Sequence, residues 1–254
     1  MPTRWNWLIK GFRGYVKRYV RKNFHAVRVS NTGSPLPTDD APLLMVLNHP
    51  GWWDPMIGAV LVDLFPRHTH YAVIDAAMLK KYRSFAKLGF FGVDGTGMRG
   101  AAEFLRIGHA ILAAPSTCTW VTAQGEFADV RKRPLDLQPG VGHLAARAGH
   151  GWVIPVALEY AFWNESRPEA LARFGPPIPL GGGKTAKDWL RDIELSLTAS
   201  LEVLNRETQS RDPALFTEIL SGSVGVGGVY DAFRRSAALV TGQKFDAGHG
   251  AAPR

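Results

Sequence analysis

The amino-acid sequence predicts an α/β fold: a single domain with a mostly parallel sheet flanked by helices, preceded by an amphipathic N-terminal helix. Three observations carry this reading. Between residues 42 and 205, short apolar segments of strand length alternate with segments of helical periodicity, the order that yields parallel strands with helical crossovers. The 254 residues are 46% apolar and 20% charged, which suits a chain with a real core and excludes wholesale disorder. The net charge of +8 is confined to one end: the first 38 residues hold eight Lys and Arg and no acid, leaving 22 of each sign in the rest. A uniformly basic nucleic-acid-binding body is therefore not supported.

Residues 4–22 are the helix candidate. At about 100° per residue, Trp5, Leu8, Ile9, Phe12, Tyr15, Val16, Tyr19 and Val20 share one arc, and Arg4, Lys10, Arg13, Lys17, Arg18, Arg21 and Lys22 fall on the other. An aromatic-rich face beside a Lys/Arg face suits a helix lying in an anionic membrane surface. Packing of the same arc on the protein's own core is the competing reading, and a nucleic-acid arm or a mitochondrial-type presequence are weaker ones. No uninterrupted apolar stretch follows the charges, as a secretory signal requires. No apolar run approaches the roughly 18 residues that cross a bilayer.

Residues 30–40 read as a linker. Strands are then expected at 42–47, 71–74, 90–93, 117–122 and 153–158, and helices at 55–65, 77–87, 98–113, 141–148 and 188–205. The expected division is a basic membrane-interacting segment with its linker at 1–38, a catalytic domain at 39–208 and a C-terminal extension at 209–254. That extension carries a Gly-rich run at 222–228, a short helix at 230–240 and a small-residue tail at 245–254.

The strongest chemical signal is Asn48-His49-Pro50-Gly51-Trp52-Trp53-Asp54-Pro55, which follows an apolar strand and opens a helix. Asp54 suits an N-cap and Pro55 the first helical position. His49 then stands at the carboxyl end of a strand, where α/β sheets place ligand sites. A tight Pro-Gly turn brings Asp54 back towards the imidazole. A carboxylate on one ring nitrogen leaves the other as a base for an alcohol. The plainer alternative is a capping Asp beside an incidental His. The strand at 117–122 runs into Gln124, Gly125, Glu126 and the basic turn Arg131-Lys132-Arg133, which should open on the same sheet edge and offer guanidinium forks to a phosphate.

Three other patterns carry less. Gly95-Thr96-Gly97-Met98-Arg99-Gly100 spells GxGxxG, but no strand-end acid follows about 20 residues later, and it reads as a tight turn. Gly181-Gly182-Gly183-Lys184-Thr185 imitates the end of a Walker A loop, with Pro177 and Pro179 where the preceding strand should be. Cys118, the single cysteine, excludes an internal disulfide and a Cys-rich zinc site, and in an apolar strand it reads as core. There is no GxSxG elbow for a serine hydrolase.

Asn48-His49 followed by Asp54 after an apolar strand resembles motif I of the glycerolipid acyltransferases, the lysophosphatidate acyltransferase-like family. The likeness runs from residue 42 to 204. The segment from Leu79 to Asp94 resembles the approach to motif II, and Val121 to Glu126 resembles motif III. Gln138-Pro139-Gly140-Val141 resembles the following helix, Val153 to Leu158 motif IV, and Phe174 to Ile178 a later strand. The resemblance implies acyl transfer from acyl-CoA or acyl-carrier protein, a co-substrate rather than a cofactor, to a hydroxyl of a lysophospholipid or related glycerolipid. It implies no metal, and a peripheral position on the cytoplasmic face of a membrane. His49 is then the general base, Asp54 its orienting partner, and Asn48, Arg99, Gln124, Gly125, Glu126, Arg131, Arg133 and Pro155 the candidate substrate-binding residues. The sequence departs from the family pattern where basic or acidic groups are usual: Gly95 replaces the motif II Arg, Gln124 the motif III Glu and Phe127 the motif III Arg. Those departures keep two other readings open: an acyltransferase for a non-phosphorylated lipid such as a glycolipid, and a catalytically silent membrane-binding relative.

Overall fold

Leu43-Leu44-Met45-Val46-Leu47 has no polar side chain to offer to solvent, so a strand made of it must be covered on both faces. In the computed structural model, which describes residues 1–94 and 97–222, it is β2 (Leu43–Leu47) and every residue is buried. Leu44 and Val46 face one core, and Leu43, Met45 and Leu47 face the other. Helices α4 (Met98–Leu112), α5 (Pro139–Arg147) and α6 (Ala186–Ser210) cover the first face with Phe104, Ile111, Leu144, Trp189 and Leu197. Helices α1 (Asn6–Asn23) and α2 (Asp54–Leu61) cover the second with Val16, Val20, Ile57 and Leu61.

The described residues form one nine-stranded sheet. With β1 (Ala26–Ser30), β3 (Thr69–Asp75), β4 (Phe90–Val93), β5 (Thr117–Thr122), β6 (Trp152–Ala161), β7 (Glu169–Phe174) and β9 (Phe216–Ser221), its order is β4-β3-β5-β2-β6-β7-β1-β9, and the two-residue β8 (Ile178–Pro179) pairs with β6. Strands β4, β3, β5, β2 and β6 run parallel, so the loops after β2, β3, β4 and β5 leave from one edge. α3 (Ala76–Lys81) follows β3 directly.

The strands expected at 42–47, 71–74, 90–93, 117–122 and 153–158 are present. The helix expected at 55–65 ends earlier as α2 and continues as a 3-10 turn, Val62–Leu64. The helix expected at 77–87 breaks at Tyr82, whose φ of −113° and ψ of 70° leave the helical region, and resumes as the 3-10 segment Arg83–Lys87. Strands β1, β7 and β9 were not expected, and the later strand implied at Phe174 to Ile178 is instead the junction where β7 ends and, beyond two prolines, β8 begins. β1 and β9 lie outside 39–208, yet both join the sheet of that domain. Their central tie is polar: buried Glu169 on β7 accepts from Arg28 Nε on β1 at 3.0 Å and contacts His25 Nδ1 at 2.6 Å, while Arg28 also pairs with Glu218 on β9 at 3.0 Å. Of the C-terminal features expected from the sequence, the Gly-rich run beyond Gly222, the helix at 230–240 and the tail at 245–254 lie outside the described residues.

The apolar arc of α1 is divided. Val16 and Val20 are packed into the core against α2. Trp5 and Tyr15 stay exposed, as does Trp7, which lay off the expected arc. Arg13 and Lys17 form ion pairs with Asp63 beyond α2, so these two cations tie the helix to the body. No helix among the described residues is long and apolar enough to cross a membrane.

The three lesser patterns are absorbed by the fold. In the GxGxxG pattern, Gly97 has a φ of +101°, and a Cβ on Gly100 would lie 1.9 Å from the Asp94 carbonyl oxygen, so both positions require glycine for the backbone; Gly95 and Thr96 lie outside the described residues. Thr185 caps α6 by accepting from the Asp188 N–H at 3.2 Å, and Lys184 pairs with Asp192 at 2.9 Å. Cys118 is fully buried in β5, and burial pushes its thiol up, away from the nucleophilic thiolate.

Candidate active site

β2 delivers Asn48 and His49 to the shared carboxyl edge of the sheet. Asn48 is buried and closes a two-way bridge to the neighbouring strand: its Nδ2 donates to the Leu158 carbonyl at 2.9 Å and its Oδ1 accepts from the Leu158 N–H at 2.8 Å. The end of β2 is thereby clamped to β6, and the direction in which the chain presents the next residue is set. The His49 N–H donates to Gln124 Oε1 at 2.7 Å, and the His49 carbonyl accepts from the Ala128 N–H at 3.0 Å. His49 is thus held by β6 through its neighbour and by the loop after β5 through its own backbone.

The Pro50-Gly51 turn folds Asp54 back as its spacing suggests, but not as a helix cap. Trp53 occupies the N-cap place, and Asp54 is already helical. Its fully buried carboxylate faces the site instead. Oδ2 lies 2.5 Å from His49 Nδ1 and accepts from the Gly51 N–H at 3.3 Å; Oδ1 accepts from the Tyr160 hydroxyl at 2.6 Å. A carboxylate on Nδ1 requires the proton there, which leaves the Nε2 lone pair as the base. The His49 side chain is 17% exposed, enough for one ring nitrogen to meet a substrate.

Tyr160 is the residue that the motif-based reading overlooks. It sits near the end of β6, packed against Phe24, and Phe24 in turn packs on Trp53. Burial, the Asp54 charge and the hydrogen bond to it all push the Tyr160 hydroxyl well up, so it remains a donor at any working pH. A signal for it was present, since an apolar strand that ends in Glu159-Tyr160 brings polar groups to the same sheet edge as His49.

The loop after β5 places the other candidates variously. Gln124 is buried; besides receiving the His49 N–H, it donates to the Leu135 carbonyl at 3.1 Å. Gly125 has a φ of +73°, and a Cβ there would lie 3.1 Å from the Gln138 side chain, so the turn requires glycine. Glu126 is exposed, 3.8 Å from Lys132. Phe127, at the place of the family's Arg, sets its ring edge-to-face against the His49 imidazole with centroids 4.6 Å apart, and is itself 61% exposed.

The two guanidinium forks are engaged within their own loop. Arg131 closes on Asp129 through Nε at 2.9 Å and Nη2 at 2.8 Å, and holds that carboxyl well below its usual range. Arg133 Nη1 donates to the Val130 and Lys132 carbonyls at 2.9 and 2.7 Å. Arg99 is exposed in the first turn of α4, beyond β4. Pro155 is buried within β6 opposite Val46, and its carbonyl accepts from the Gly175 N–H at 2.8 Å. So Asn48, His49, Asp54 and Gln124 converge with Tyr160 and Phe127, whereas Arg131 and Arg133 are bonded within their own loop, Arg99 is in α4 and Pro155 is within β6. Among the described residues, no group of His, Cys, Asp and Glu side chains could hold a metal ion.

No family model and no curated protein matches the chain. Among solved structures, it is similar to the crystal structure of the 1-acyl-sn-glycerophosphate (LPA) acyltransferase PlsC from Thermotoga maritima, at 14% sequence identity and a TM-score of 0.53, over 78% of this chain and 80% of that one. At that identity the likeness is one of fold.

Proposed function

We propose that the protein is a lipid O-acyltransferase that moves a fatty acyl group from a thioester, acyl-CoA or acyl-carrier protein, to a hydroxyl of a glycerolipid or related lipid. The observation that carries this is the buried Tyr160–Asp54–His49 chain of hydrogen bonds, ending in a free imidazole nitrogen at the carboxyl edge of the sheet. The shared fold with an acyltransferase and the ordered partial motifs support it.

In this mechanism His49 Nε2 accepts the proton of the acceptor hydroxyl as its oxygen attacks the thioester carbonyl. Asp54 stabilises the imidazolium that results, and Tyr160 holds Asp54 in place. Collapse of the tetrahedral intermediate breaks the C–S bond. The imidazolium proton goes to the departing sulfur, which releases a thiol and regenerates the base. The thioester is already activated, so no covalent acyl-enzyme is required.

The protein works from the surface of a membrane, on the anionic cytoplasmic leaflet. The exposed Trp5, Trp7 and Tyr15 of α1 and the exposed cations Lys10, Arg18 and Lys22 favour that position. The test is release of free thiol from a long-chain acyl-CoA with a panel of lipid acceptors, for the wild type and His49→Ala. Vesicle binding without thiol release from any acceptor would identify a catalytically silent relative instead.

A further inference from the structure

Resting on the acyltransferase reading, we propose that the acceptor offers its hydroxyl on an uncharged head, a sugar or glycerol unit with no phosphate next to the reacting carbon. Phe127 is the residue that sets this preference.

When the acceptor oxygen is at His49 Nε2, a phosphate a few bonds away must also lie beside His49. A phosphate drawn out of water there needs a cation or a convergent set of donors. The side chain that meets the imidazole is Phe127, ring to ring at 4.6 Å, and Trp52 stands exposed in the same turn as His49. Neither carries a charge.

The cations of the loop after β5 are already occupied. Arg131 closes on Asp129, Lys132 lies 3.1 Å from Asp136 and 3.8 Å from Glu126, and Arg133 caps its own turn. Between Gln124 and Asp136 the three cations are matched by Glu126, Asp129 and Asp136, so the loop presents no net positive field. Arg99 follows β4, three strands from β2, which is about 14 Å across the sheet at the usual strand spacing. A half-exposed aromatic face beside the base suits the C–H face of a sugar or glycerol backbone, which gains dispersion contact and keeps its hydroxyls free to reach Nε2.

The experiment measures kcat/KM by thiol release at fixed acyl-CoA with three acceptors: a monoacylglycerol, a dodecyl glucoside and lysophosphatidate. The expected result is that at least one uncharged acceptor is used about 10-fold better than lysophosphatidate, the smallest effect of one missing charge-assisted contact. Phe127→Arg should raise kcat/KM for lysophosphatidate by roughly 10- to 150-fold and lower it for the uncharged acceptors. Phe127→Leu, which keeps the bulk and removes the ring, should raise KM for the uncharged acceptors and leave lysophosphatidate unchanged. A wild-type preference for lysophosphatidate, lost in Arg99→Ala, would overturn the proposal and leave the acyltransferase standing. So would an acceptor ratio that neither Phe127 variant moves. Thiol release with none of the three acceptors would overturn both.

Discussion

Tyr160→Phe isolates one hydrogen bond at the back of the site. The substitution removes only the hydroxyl and leaves the ring on Phe24. Asp54 Oδ1 then loses its donor at 2.6 Å, while Oδ2 keeps His49 and Gly51. Because Asp54 is fully buried, water does not replace the lost donor. A hydrogen bond to a buried charge contributes about 1.5 to 3 kcal/mol. Without it the Asp54 carboxylate is held by fewer groups and presents His49 less firmly to the acceptor. If the whole contact is lost in the transition state, kcat should fall by roughly 10- to 150-fold, with little change in KM. Thiol release from acyl-CoA at saturating acceptor measures kcat. Thermal unfolding should show a loss of comparable size in the stability of the fold. An unchanged kcat in a folded variant would refute the claim that Tyr160 supports the base through Asp54.

Other outcomes follow from the same geometry. His49→Ala should abolish thiol release and leave the fold intact; Asp54→Asn should lower kcat by at least about 100-fold, because an amide cannot stabilise the imidazolium, and near-normal turnover in either would remove the residue from the mechanism. Reversing Lys10, Arg18 and Lys22 to Glu should weaken binding to anionic vesicles in sedimentation, with little change in thermal stability, because Val16 and Val20 still hold α1; equal binding of the wild type to neutral and anionic vesicles would count against the electrostatic part. His70 gives an acid-sensitive fold: burial lowers it from 6.5 to about 4, with Nδ1 accepting from Trp120 Nε1 at 3.2 Å and Nε2 donating to the Phe65 carbonyl at 3.1 Å. The unfolded chain takes up that proton first as pH falls, so stability should decline between pH 6.5 and 4, by about 2 to 3 kcal/mol, and His70→Gln should flatten this slope in denaturant titrations.

The sequence by itself determined the parallel half of this protein. β2 is apolar on both faces, so its type and its need for helices on either side follow from composition alone. The strand-turn-helix around His49 was legible for the same reason, since Pro50, Gly51 and Pro55 punctuate a local structure that needs no distant partner. Where partners are distant, the reading stopped. β7 is written Glu-Ala-Leu-Ala-Arg-Phe, a composition that favours helix, and it is a strand because β6 and β1 flank it and Arg28 reaches Glu169. α1 shows one continuous apolar arc in projection, and only its docking on α2 separates the valines that enter the core from the aromatics that do not. The spacing of Asp54 admitted both a cap and a partner for His49; Tyr160, 106 residues further along, draws the carboxylate into the site. The basic turn looked like an open anion site until Asp129, Asp136 and the loop's own carbonyls were seen to fill it. Local order follows from neighbours in the chain, whereas the charge state and orientation of a site depend on which distant groups burial brings within hydrogen-bond reach.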